Sequence, residues 1–152
     1  MGLIESLESS LSPLKDIHPA LLFLFILLNN AIKAFFIILF GAAAGIPALL
    51  FVFVNGFILS LVVAFAVPVQ GWYIVLANIL PHGILEIPLM ILTAALSLLI
   101  GWESIKWIRR QTSNTKARMK SGIYAYISII LPGLIIASLI ESFITPMIGQ
   151  SI

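Results

Sequence analysis

His82 and Glu86 stand four residues apart in the stretch Pro81-His82-Gly83-Ile84-Leu85-Glu86-Ile87-Pro88. On a helix that spacing puts both side chains on one face, where an imidazole and a carboxyl can share a proton or ligate one ion. The stretch lies inside the apolar run from Gly71 to Gly101. Hydrocarbon accepts ionisable groups at such depth only where they meet partners or line a cavity. Asn29, Asn30, Lys33, Asn55 and Asn78 interrupt the same run or neighbouring ones. With His82 and Glu86 they form a candidate intramembrane polar network, either structural or proton- and ion-handling.

Three chemistries compete for this set. An enzyme built on the His82/Glu86 pair would need a third acidic or histidine residue beside it, or a serine or cysteine nucleophile, and the motif offers none. Two ligands are too few for a zinc site, and metal-binding spacings do not occur. No catalytic residue, metal or cofactor is therefore expected. Transport is the second chemistry, because secondary transporters build substrate sites from broken helices with polar groups at mid-depth. One copy of this chain supplies few helices for a pathway, so passage of an ion, a proton or a small solute requires a homo-oligomer. In the third reading the polar residues bond across facing segments and fix how apolar helices dock, at about 0.5–2 kcal/mol per bond. This non-enzymatic, scaffold or assembly reading is the preferred one, with an oligomeric channel or transporter as the alternative. Its geometric content is that His82 and Glu86 lie near Asn29, Asn30 or Asn55.

The elements that must position these residues follow from composition. Of 152 residues 61% are hydrophobic and 9% charged, with a mean hydropathy of +1.18. A soluble domain of this size cannot bury so much apolar side chain, so the chain reads as a single all-α integral membrane domain, a polytopic helical bundle. Four or five membrane segments are expected, some discontinuous or re-entrant. Cysteine is missing, which excludes disulfides and thiolate chemistry. Residues 1–18 space Leu3, Leu7, Leu11 and Leu14 at helical intervals between Glu5, Glu8, Ser9 and Ser12, the pattern of an amphipathic helix lying on the membrane. Their carboxylates do not fit the basic start of a signal peptide.

From residue 20 to 145 the chain is the bundle. Ala20–Gly45 spans once, about 39 Å if helical, unless Asn29-Asn30 divides it. Gly41 and Gly45 form a small-xxx-small repeat that lets two helices approach closely, and Gly45-Ile46-Pro47 ends the segment, with Pro47 suited to the next helix's first turn. Pro47–Val67 carries Asn55-Gly56 at its middle; Asn55 is expected to bond across helices and Gly56 to admit another backbone. Pro68–Gly71 is a turn, followed by Trp72 and Tyr73 at an interface. Pro81, Gly83 and Pro88 are expected to break the run from Trp72 to Gly101. The segment 103–122 reads as a loop carrying Lys106, Arg109, Arg110, Lys116, Arg118 and Lys120 against Glu103. The positive-inside rule assigns that loop to the cytoplasm and the C-terminus to the outside of a cell membrane. Topology and anionic lipid account for its charge without nucleic acid. The last span, Ile123–Phe143, is interrupted by Pro132-Gly133. The N-terminus is outside with four crossings, and inside if the Asn pair or the Trp72–Gly101 run adds another.

The order of these motifs resembles the stage II sporulation protein M family. Asn29-Asn30, Gly41 to Gly45-Ile46-Pro47, Asn55-Gly56 and Ile79-Leu80-Pro81-His82-Gly83-Ile84-Leu85-Glu86-Ile87-Pro88 carry the likeness, over about residues 20–145. The resemblance implies a small polytopic membrane protein of about five membrane segments. In spore formers such a protein is a membrane scaffold working with a lytic transglycosylase and an amidase-type cell-wall hydrolase. The partners implied are the lipid bilayer, further copies of the chain, and other membrane or cell-envelope proteins. The family extends beyond spore formers, so sporulation itself is not carried over.

Overall fold

Glycine and proline set the element boundaries here, though not always where the sequence suggests. The protein is described from a computed structural model covering residues 18–144, apart from the side chains of Asn78, Pro81 and His82. The described residues form helices and short connections. Helix α1 (Pro19–Leu39) tightens into a 3-10 turn (Phe40–Ala42), and α2 runs Ile46–Ile108. Helix α3 (Thr115–Ala125), a π turn (Tyr126–Ile130), α4 (Leu131–Leu139) and a second π turn (Ile140–Ile144) follow one another without a break. The interfacial helix expected over residues 1–18 lies outside the described residues, save His18.

His18 caps α1, its Nδ1 accepting the Ala20 N–H at 3.2 Å, and Pro19 occupies the first turn, where a missing donor costs nothing. The helix passes through Asn29-Asn30 unbroken, which removes the two-piece alternative. It ends where Ala44 (φ 55°) and Gly45 (φ 73°) turn left-handed, and Pro47 sits in the first turn of α2.

Inside α2 the breaks expected at Pro81, Gly83 and Pro88 do not occur. The residue that leaves helical geometry is Gly71, at φ 81° and ψ 159°. A proline in a long membrane helix removes one hydrogen bond, and the turns on either side hold the rod together. Gly71 adopts a backbone region open essentially to glycine alone, so this is where the chain can reverse. The two arms, residues 46–70 and 72–108, then run antiparallel at their far ends. Gly45 abuts Gly101, Ala48 packs with Ala94, and Phe51 and Asn55 share a cavity with Glu86 and Met90. A β-carbon added at Gly71 meets no atom within 4 Å, so Gly71→Ala carries backbone strain alone. We expect it to lower stability by about 1–3 kcal/mol, read as a reduced thermal midpoint in detergent. Gly56→Ala, equally open but helical, is the neutral control.

The core is a three-way contact. Ala31, Ala34 and Ile38 of α1 meet Ile100 of the second arm and Ile130 and Leu134 of the last segment. Around these three isoleucines and Leu134 small residues such as Ala48, Ala94, Ser97 and Ala137 are buried, because lipid is as apolar as leucine and helices in it associate by close packing instead of by the hydrophobic effect. Large residues face outward, among them Phe25 and Phe65, 73% and 75% exposed. The first arm attaches only near its start: from residue 49 to 70 nothing is buried. Four helical stretches, Pro19–Ala42, Ile46–Ala77, Gly83–Ile108 and Thr115–Ile144, are long and apolar enough to cross a membrane.

The loop expected over 103–122 is mostly helical, and only residues 109–114 connect α2 to α3. Lysine, arginine, alanine and methionine are good helix formers, and a helix can continue past hydrocarbon once its charges reach water. Arg110, left-handed at φ 56°, ends α2; its N–H donates to the Trp107 carbonyl at 3.0 Å while the Gln111 N–H reaches the Lys106 carbonyl at 2.9 Å. Pro132-Gly133 does not interrupt the last segment either. The π turn just upstream accommodates the proline's missing donor.

Candidate functional site

Asn30 lies near the middle of the first candidate span and Asn55 in the attached end of the first arm. The fold brings both to Glu86. The Asn30 amide donates from Nδ2 to Glu86 Oε1 at 3.0 Å, joining residues 56 positions apart. Asn29, exposed, donates weakly to Asn30 Oδ1 at 3.4 Å. Asn55 does not bond across helices as expected. Its amide turns back to the Phe51 carbonyl of its own helix at 2.7 Å, a local bond that any helix offers a short polar side chain.

Around Asn30 and Glu86 is a cavity of about 10 Å³, lined on its polar side by Asn30, Lys33, Asn55, Glu86 and Thr93. That is the volume of about one water molecule. Lys33 borders it while remaining exposed on α1. Five of the seven residues proposed for the polar network are thus located: four line the cavity and Asn29 adjoins it. The side chains of Asn78 and His82 lie outside the described residues, so the expected neighbourhood of His82 does too.

Close packing around this cavity is set by glycines. A β-carbon on Gly41 would lie 2.8 Å from the Ser97 carbonyl oxygen, and one on Gly101 would lie 2.2 Å from the Gly45 nitrogen. Gly45 itself abuts Leu98. The Gly41/Gly45 repeat therefore docks on Ser97 and Gly101. Gly56, expected to admit a backbone, has nothing within 4 Å.

Several contributors escaped the sequence reading. Thr93, Ser97 and Gly101 recur every four residues, a small-residue face that the pattern alone could have revealed. Ser97 Oγ donates to the Ile37 carbonyl at 2.7 Å, tying the second arm to α1 from within a buried position. Tyr126 donates to the Ala31 carbonyl at 3.1 Å from the opposite side. Gly133 accommodates Leu89, whose methyl would be 2.7 Å from an added β-carbon. Helix α1 is consequently held by polar bonds at two levels, through the adjacent Asn30 and Ala31 and, two turns on, through Ile37, each to a distant part of the chain. Among the described residues no group of three or more histidine or acidic side chains gathers as a metal set would.

Comparison with known proteins bears on the fold and motifs together. No curated protein and no solved structure matches the chain. The family model described as stage II sporulation protein M matches residues 3–146. An all-α chain with four helices able to span a membrane, matched over nearly its whole length, belongs to the stage II sporulation protein M family.

Proposed function

We propose that this protein is a non-enzymatic membrane scaffold, an assembly component on which other membrane or cell-envelope proteins and further copies of the chain are organised. The observation that carries this reading is the Asn30–Glu86 bond beside a cavity about the size of one water molecule. Asn30 is turned on Glu86 across helices, while Asn55 and Thr93 bond carbonyls of their own helix, and the bond between distant segments is suited to specifying helix docking. A conducting site needs a continuous polar path, and a cavity of that size favours the structural role. In this reading the basic segment faces the cytoplasm, the Gly71 turn faces outside, and both chain ends lie outside with four crossings.

The test is flux. Purified protein in liposomes is expected to pass neither protons nor monovalent cations above the protein-free background. Glu86→Gln should retain helix content and oligomeric size in detergent, because the amide oxygen still accepts from Asn30. Flux in the unaltered protein that vanishes in both His82→Ala and Glu86→Gln, with folding intact, would replace the scaffold by an oligomeric channel or transporter.

A further inference from the structure

The connection between α2 and α3 holds a charge imbalance and a concavity at the same place. Glu103 is buried and committed, accepting Lys106 Nζ at 2.8 Å and the Asn114 N–H at 2.8 Å. Arg109, Arg110, Lys116, Arg118 and Lys120 enter no ion pair among the described residues. Beside them is a groove of about 820 Å³ where the ends of α1, α2 and α3 meet, lined by Ala42, Ser104, Trp107, Ser113, Thr115 and Lys116 among others.

The groove presents hydrogen-bond donors. It contains the N-terminus of α3, whose Asn114 side chain makes no capping bond. The backbone N–H groups of Thr115, Lys116 and Ala117 therefore have no acceptor among the described residues. The Thr115 hydroxyl oxygen is buried there, also without a partner. Unsatisfied donors and the positive end of a helix attract phosphate oxygens, and Lys116 adds a full charge.

The groove's rim argues for a lipid over a soluble anion. Trp107 and Ile108, 71% and 67% exposed, continue the apolar outer surface of the spanning helices to the groove's edge. Trp102 is exposed one turn earlier, and tryptophans in such positions mark the headgroup level. Basic pockets between membrane helices suit anionic headgroups. We infer that this groove is a binding site for the headgroup phosphate of an anionic phospholipid, with acyl chains lying against Trp107 and Ile108. The inference does not depend on the scaffold reading.

A form retaining only Trp107, carrying Trp72→Phe and Trp102→Phe, reports on the site in phosphatidylcholine vesicles. Phosphatidylglycerol brominated on its acyl chains should quench Trp107 at about fivefold lower mole fraction than brominated phosphatidylcholine, the preference expected for one basic residue at an anionic headgroup. Lys116→Ala should erase the preference, and Lys120→Ala, outside the groove, should leave most of it. Ala117→Leu adds bulk over the first turn of α3, inside the groove, without altering charge and should also erase it, which covers the case in which Lys116→Ala fails to fold. Equal losses in Lys116→Ala and Lys120→Ala mean diffuse surface attraction and overturn the site. Equal quenching by the two lipids overturns it as well. Binding of inorganic phosphate to the protein, with no difference in quenching between the two lipids, identifies a soluble-anion site and overturns the lipid assignment.

Discussion

Gly101→Ala is expected to be the most damaging single-methyl change in the protein, lowering stability by about 3 kcal/mol, the upper end for overpacking. The added carbon would lie 2.2 Å from the Gly45 nitrogen, 2.6 Å from the Ala44 carbonyl carbon and 2.7 Å from the Gly45 α-carbon. All three are backbone atoms, so no rotamer change relieves the clash. The backbone they belong to is the left-handed turn that joins α1 to α2, with φ of 55° at Ala44 and 73° at Gly45. Moving it would disturb the contact of Gly41 with Ser97 and of Ala48 with Ala94 at once.

The other glycines grade this expectation. Gly41→Ala also meets backbone, the Ser97 carbonyl oxygen at 2.8 Å, and should follow closely. Gly133→Ala meets only the ends of the Leu89 side chain, which can move, and should cost less. Gly83→Ala meets nothing nearer than 3.6 Å within a helix and should be neutral or slightly stabilising. Thermal midpoints of the four variants in one detergent would test the order. A Gly101→Ala protein as stable as Gly83→Ala would show that α1 and the second arm do not pack as described.

What the sequence made legible was periodic or compositional. Four apolar stretches and the Gly45-Ile46-Pro47 turn follow from hydropathy and from residues with restricted or extended backbone freedom. The small face at Gly41 and Gly45 announced a close contact, but its partner at Ser97 and Gly101 belongs to another helix, and spacing within one segment does not name the segment opposite. The breaks were misjudged for a related reason. Proline removes a donor, which a long apolar helix absorbs at Pro81 and Pro88, whereas the chain reverses at Gly71, the last residue of the turn expected over Pro68–Gly71, through a positive φ that glycine alone tolerates. Asn55 shows the limit for polar residues: its type signals a bond, but the nearest acceptor is on its own helix.

Glu86→Leu is expected to be the most damaging change to the polar network, at about 1–3 kcal/mol, because the Asn30 amide is then left without its acceptor inside hydrocarbon. Asn30→Leu should cost a similar amount, and the double substitution less than the sum of both. The coupling expected for such a bond in a membrane is about 0.5–2 kcal/mol. Glu86→Gln separates acceptor from charge, since its amide oxygen can still receive the Asn30 N–H at the observed 3.0 Å geometry. A docking role therefore predicts that Gln retains most of the stability that Leu loses. Strict additivity of the two leucine substitutions would show that Asn30 and Glu86 act independently. Equal damage from Gln and Leu would show that a carboxyl oxygen beyond the one Asn30 uses, or the carboxyl's proton, matters to the fold. Because α1 is also held through Ile37, two turns beyond Asn30, loss of the Asn30 bond should loosen the middle of the bundle before its Gly41 end, with the Tyr126 bond to Ala31 the tie that remains at that level. Hydrogen exchange would then rise first in residues 27–34 and 83–90, while the glycine contact at Gly41 and Gly101 stays protected.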